Sequence, residues 1–178
     1  MNLAPDITRH IRILHKKLRG DISVGIKTLV AYYSLKGSVK SAAETLSTGM
    51  GADLYEIKAV KNYRGVGVMR AGFESILSKK NSEIEKVGID IGQYDRVVLA
   101  GPIWAGSLAG PVKSFAKECA GQVKKVIYIS VDASNTQDYS AAFDELDTIL
   151  GISRTDSLCL CKRTDYISQI KGYAVRIK

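Results

Sequence analysis

The chain is poor in cysteine and in long apolar runs, and it holds no block of like charge. Cys119, Cys159 and Cys161 make an odd set without a C-x-x-C pair. Neither a disulfide framework nor a zinc site is therefore expected, and reduced thiols in a reducing compartment fit best. No apolar run approaches the roughly 18 residues that a membrane-spanning helix requires. The first twenty residues lack the uninterrupted apolar stretch of a secretory signal, because charges recur every three or four positions. The expectation is a cytoplasmic protein. There is no internal repeat and no Pro/Ser-rich linker.

What remains is an ordinary globular composition. The 178 residues are 46% hydrophobic and 25% charged, which is one domain with a short addition. A chain of this length buries roughly 70% of its unfolded surface and needs no covalent staple. The formal charge of +8 favours acidic partners such as phosphate-bearing ligands, an anionic membrane surface or an acidic protein. About +3 lies in residues 1–25 and about +5 in the remainder, by direct count. So even a spread argues against a dedicated nucleic-acid arm, and no nucleic-acid partner is expected.

From residue 26 the sequence alternates between two kinds of segment. Ile26–Tyr33, Ala52–Ile57, Arg96–Ala100, Val123–Ile129 and Ser157–Cys161 are β-branched or aromatic and read as strands. Helical spacing joins Val39, Ala43, Leu46 and Met50. It recurs at Met69, Phe73, Ile76 and Leu77, then at Val112, Phe115, Ala116 and Cys119. Two further sets are Tyr139, Phe143, Leu146 and Leu150, and Ile167, Ile170, Ala174 and Ile177. Five strands alternating with five helices predict an α/β sandwich on a parallel sheet. Val97–Ala100, apolar throughout, predicts a central strand covered on both faces. Residues 1–25 stand outside the alternation: Ile7, Ile11, Leu14 and Leu18 form a stripe beside Arg9, Arg12, Lys16 and Lys17. That is an amphipathic basic helix, packed on its own domain, on a second copy in a homodimer, or on an anionic surface.

In a doubly wound sheet, ligands bind beyond the carboxyl ends of the strands. Two loops there are informative. Tyr33-Ser34-Leu35-Lys36-Gly37-Ser38-Val39 ends a strand and opens a helix. The unpaired N–H groups of a helix start suit a phosphate, Gly37 allows close approach, and Ser34 and Ser38 add hydroxyls. An ordinary strand-to-helix turn is the alternative. Ala100-Gly101-Pro102-Ile103-Trp104-Ala105-Gly106-Ser107 carries the single tryptophan between glycines. Its ring offers a flat face to a planar ligand, or else caps the sheet edge. Gly65-x-Gly67 follows no convincing strand and reads as a turn. His10 and His15 share no face and read as surface residues, and the three cysteines read as small core residues. No nucleophile, base and orienting acid come together, so any chemistry is expected to belong to a cofactor.

These loops resemble the flavodoxin family, the FMN-binding electron carriers and their relatives. Tyr33–Val39 is similar to that family's phosphate loop, approximately Y-S-x-T-G-N-T. Gly101-Pro102-Ile103-Trp104-Ala105-Gly106 resembles the G-T-P-x-W-x-G of its short members. Tyr94-Asp95, Lys61-Asn62-Tyr63-Arg64-Gly65 and Arg70-Ala71-Gly72-Phe73 look like the same subgroup. The resemblance covers about residues 26–178. It implies a flavodoxin-like three-layer sandwich with a five-stranded parallel sheet in the order 2-1-3-4-5, to which the spacing in residues 1–25 adds an N-terminal helix. It places the phosphate of FMN on Ser34, Lys36, Gly37, Ser38 and Val39, and the flavin ring beside Pro102, Ile103, Trp104, Ala105 and Gly106.

The chain departs from the pattern at Lys36 and Val39, where the family usually has threonines. Its third loop, Ser130-Val131-Asp132-Ala133-Ser134-Asn135, lacks the usual glycines, and Asp132 is a weak match. The implied function is FMN-dependent electron transfer with a redox partner protein or a small electron acceptor. The alternative is a flavodoxin-like domain that has lost FMN and serves as a binding or assembly module.

Overall fold

The computed structural model describes residues 25–61, 82–134 and 138–178. The expected N-terminal helix with His10 and His15, the Met69–Leu77 helix and Gly65-x-Gly67 lie outside those residues. Five strands form one parallel sheet: β1 (Thr28–Tyr32), β2 (Asp53–Glu56), β3 (Arg96–Gly101), β4 (Val126–Asp132) and β5 (Asp156–Cys161). Their order is β2-β1-β3-β4-β5, as the resemblance implied. Register is set by pairs such as Val30 with Val98, Leu99 with Tyr128 and Ile129 with Leu158.

Four helices cover the sheet among the described residues: α1 (Ser38–Met50), α2 (Gly110–Cys119), α3 (Ser140–Leu150) and α4 (Tyr166–Ile177). The period of two in the strands and 3.6 in the helices decides who meets whom. Leu29, Val97, Leu99 and Tyr128 face Phe115, Val112, Phe143 and Leu146 of α2 and α3. Val30, Val98, Ile127 and Ile129 face Val39, Ala43, Leu46, Ile170 and Ala174 of α1 and α4. β1, β3 and nearly all of β4 are buried, whereas β2 and the first half of β5 border the sheet and stay largely open.

That border overturns one expectation. Cys119 and Cys161 are buried, but Cys159 is exposed. It shares a face with Cys161, yet an edge strand is covered less completely than a central one. No helix among the described residues is long and apolar enough to cross a membrane.

The amino end of the sheet is closed by side chains. Arg96 is only 8% exposed; its Nε and Nη2 donate to Thr28 Oγ1 at 3.2 and 3.0 Å, and Nη1 donates to the Ile177 carbonyl at 2.6 Å. One guanidinium thereby ties β1, β3 and the end of α4 together. Asp95 accepts from the Lys27 amide at 2.9 Å, and Tyr94 donates to Asp53 at 2.9 Å.

Candidate functional site

The carboxyl end of the sheet has a different character. There the chain leaves β1, β3, β4 and β5 through loops that border one cleft of about 230 Å³. Ser34, Leu35, Lys36, Ser38 and Val39 form one wall and Pro102, Ile103 and Trp104 another. Val131, Asp132, Ala133 and Lys162 complete it.

The first wall follows from one glycine. Gly37 is the N-cap of α1 with φ +90°, a left-handed conformation that a side chain rarely adopts. Ser34 Oγ accepts from the Gly37 amide at 3.1 Å, which fixes the turn and leaves the serine O–H able to donate. No side chain caps α1, and its first turn holds no acidic residue. Its leading N–H groups, around Ser38 and Val39, therefore present the positive end of the helix dipole with no carboxylate in the helix's own first turn to offset it.

The second wall is a short antiparallel hairpin, Ile103–Trp104 against Ser107–Leu108. Ala105 (φ +49°) and Gly106 (φ +83°) form its tip. Positive φ at both central residues is the mark of a primed two-residue turn. The hairpin is held from behind: Ser107 Oγ donates to Glu145 at 2.7 Å, and Glu145 also accepts from the buried Lys113 at 3.3 Å. Trp104 is only 9% exposed and meets Tyr33 edge to face, with centroids 5.7 Å apart. It is thus a core residue and a cleft residue together.

The third wall contains uncompensated polar atoms. Asp132 Oδ1 accepts from the Ser134 amide at 2.7 Å, and the Asp132 carbonyl accepts from the Lys162 amide at 2.8 Å. Asp132 Oδ2 is buried and has no hydrogen-bond partner among the described residues; the same holds for Ser130 Oγ, two residues earlier on the same face. Burial, followed by its hydrogen bond to the Asp132 carboxylate, pushes the Tyr139 hydroxyl well above its ordinary pKa. Buried polar groups left without partners are uncommon. Of the two residues, Asp132 lines the cleft, and Ser130 lies buried behind it.

The structure thus brings Ser34, Lys36, Ser38, Val39, Pro102, Ile103 and Trp104 into one cleft. Gly37 shapes that cleft from behind the wall, whereas Ala105 and Gly106 lie at the exposed hairpin tip, outside the lining. Leu35, Val131, Ala133 and Lys162 line it and were not singled out from the sequence. Their signal was positional: each lies in, or next to, the loop that follows a strand of the sheet. A second recess, of about 470 Å³, shares Ser34 and Leu35 and carries Glu56, Lys58, Lys61 and Glu85 on its walls.

The model of a family described as flavodoxin matches residues 27–148. No functionally curated relative matches the chain. Among solved structures, a Bacteroides uniformis protein assigned provisionally as a flavoprotein is 26% identical. It aligns over 84% of this chain and 97% of its own, with a TM-score of 0.70. A flavoprotein of Lactobacillus acidophilus, crystallised in complex with FMN, is 22% identical over 75% of this chain and 92% of its own, with a TM-score of 0.66. A flavodoxin from Agrobacterium tumefaciens, described as WrbA-like, is 15% identical over 85% and 94%, with a TM-score of 0.55.

Proposed function

Because this chain belongs to the flavodoxin family, we propose that its cleft binds FMN and that the protein acts in electron transfer, as a shuttle or as a small flavin oxidoreductase. The observation that carries the reading is the uncapped start of α1 opening onto the same cleft as the Pro102–Trp104 wall. A phosphate needs donors and a positive field, and a flavin ring needs a flat apolar flank. The residues present fit both needs. The N–H groups at Ser38 and Val39, the hydroxyls of Ser34 and Ser38 and the Lys36 ammonium would hold the phosphate. Pro102, Ile103 and Trp104 would flank the ring. At 230 Å³ the cleft is smaller than a site that encloses its ligand. FMN would therefore lie partly open to solvent, which suits exchange of electrons with a partner protein or a small acceptor.

Bound FMN would supply the redox chemistry. The chain's own part is to bind, to orient and to set the field. Lys36 and Lys162 place positive charge beside the cleft, which favours the more negative state of whatever lies there and so raises its reduction potential. Fixed loops, anchored through Glu145 and Ser34, keep the walls in place before the ligand arrives.

A second reading has its own support. Lys36 and Val39 replace two threonines of the family pattern, and Trp104 is nearly covered by the chain itself, as in a domain that has lost FMN and kept the fold for binding or assembly. The absorption spectrum of the purified protein separates the two. Bound FMN gives a band near about 450 nm, a property of the cofactor. A colourless protein that also fails to take up added FMN would leave the second reading standing.

A further inference from the structure

We propose that Lys162, together with Lys36, forms a two-cation clamp that makes this cleft selective for a phosphomonoester dianion. The inference rests on the FMN reading and deepens it. Beside the start of α1 this chain places the hydroxyls of Ser34 and Ser38, an ammonium at Lys36 and a branched alkyl group at Val39.

Lys162 joins them from another part of the chain. It follows β5 directly, beyond the 27–148 segment that matches the family, yet it lines the same cleft as Ser34, Lys36, Ser38 and Val39. Its backbone is pinned, because its amide donates to the Asp132 carbonyl at 2.8 Å. Among the described residues no carboxylate lies within 4.0 Å of Lys162 or Lys36, although Lys40, Lys58, Lys113 and Lys124 each have one. Asp132 is the one carboxylate in the lining, and it forms no ion pair with Lys162.

Two lysines without an ion-pair partner among the described residues line the cleft onto which α1 opens, so its positive field comes from three separate elements: the β1–α1 loop, the start of α1 and the β5–α4 loop. A monoester phosphate carries nearly two negative charges at neutral pH. It gains from both lysines, whereas a flavin without phosphate gains from neither. Lysine contacts are also point charges screened by salt, so their share of the affinity should fade as ionic strength rises.

The test titrates the full-length, flavin-stripped protein with FMN and with riboflavin at low and at high salt. Wild type, K162Q, K36Q and a control, K125Q, are compared. Lys125 is exposed and precedes β4 at the opposite end of the sheet, so its replacement changes net charge equally without touching the cleft. K162Q should weaken FMN about three- to tenfold at low salt and leave riboflavin unchanged. Its salt dependence should be shallower than that of wild type and of K125Q. FMN affinity within twofold of wild type, or an equal loss for FMN and riboflavin, would overturn the clamp. Should wild type bind no flavin, the functional reading fails on its own, and inorganic phosphate becomes the probe. Phosphate-induced amide shifts at Ser38 and Val39 that K162Q reduces would then support the clamp, and shifts that it leaves unchanged would refute it.

Discussion

The two ends of the sheet are made from one chain and differ in nearly every physical respect. At the amino end, charged side chains are matched and Arg96 is closed in: Arg96 gives three hydrogen bonds, Asp95 accepts from Lys27, and Tyr94 donates to Asp53. At the carboxyl end lies Ala105, the one non-glycine with positive φ among the described residues; α1 begins without a cap, and Ser130 Oγ and Asp132 Oδ2 are buried without partners among the described residues. Among the described residues the amino end has one counterpart, the Tyr173 hydroxyl, buried beside the Asp156 carboxylate. Left-handed glycines occur at both ends, Gly51, Gly121 and Gly151 standing shortly before β2, β4 and β5, but unmet hydrogen-bonding capacity is concentrated at the end where a parallel sheet presents ligands. One end holds the fold, and the other is shaped for a guest.

The sharpest way to break that comparison is Arg96→Ala. It leaves Thr28 and the Ile177 carbonyl buried without their donor and should cost about 2–3 kcal/mol by chemical denaturation. FMN affinity of the folded fraction should be unchanged. Gly37→Val acts at the other end. Its Cβ would meet no atom within 4 Å, so the penalty is backbone strain at φ +90° together with a branch where a phosphate must approach. FMN binding should weaken by about 1–3 kcal/mol in a calorimetric titration. If Arg96→Ala lowered FMN affinity while Gly37→Val did not, the roles of the two ends would have been assigned the wrong way round.

Alkali tests both ends together. Burial, then the Glu56 and Glu44 charges, raises the Tyr32 pKa from 10.0 to about 12. Tyr94, Tyr128, Tyr139 and Tyr173 are raised as well, each first by burial. A raised folded pKa means that the folded state holds its proton more tightly than the unfolded one. This stability is complete below about pH 10 and is lost as pH climbs through about 12. Denaturation midpoints should fall across that window, and a flat profile would contradict these burials. A smaller effect separates the thiols. Burial and the Glu118 charge push Cys119 up to about 12, and Cys159 alone is exposed. A thiol reagent at neutral pH should therefore label Cys159 first in the native protein.

Most of the sheet was legible because its periodicities are strong. Val97–Ala100 is apolar at every position and became the central β3. Helical spacing found α1, α2, α3 and α4 to within a few residues. The Ile103–Leu108 hairpin was not legible, since two-residue strands carry no period and Pro102 with two glycines reads as loop. Exposure of Cys159 was hidden for another reason: alternation tells which face a residue takes, not whether that face is covered at a sheet edge. In the cleft, Ser34 to Val39 and Pro102 to Trp104 could be read as motifs. Lys162 could not, because its place follows from β5 lying beside β4, and only the assembled sheet brings its loop to Asp132.

The central claim is that the start of α1 and the Trp104 wall form one flavin phosphate cleft. Its most direct test is a ¹H–¹⁵N correlation spectrum of the stripped protein, recorded with FMN and with riboflavin. FMN should shift the amides of Gly37, Ser38 and Val39 and the Trp104 indole, while Lys27, Asp95 and Arg96 stay in place. Riboflavin, lacking the phosphate, should leave the Gly37–Val39 amides nearly unmoved. FMN-induced shifts that bypass Gly37–Val39 and gather in the recess of Glu56 to Lys61, or at the amino end of the sheet, would contradict the account.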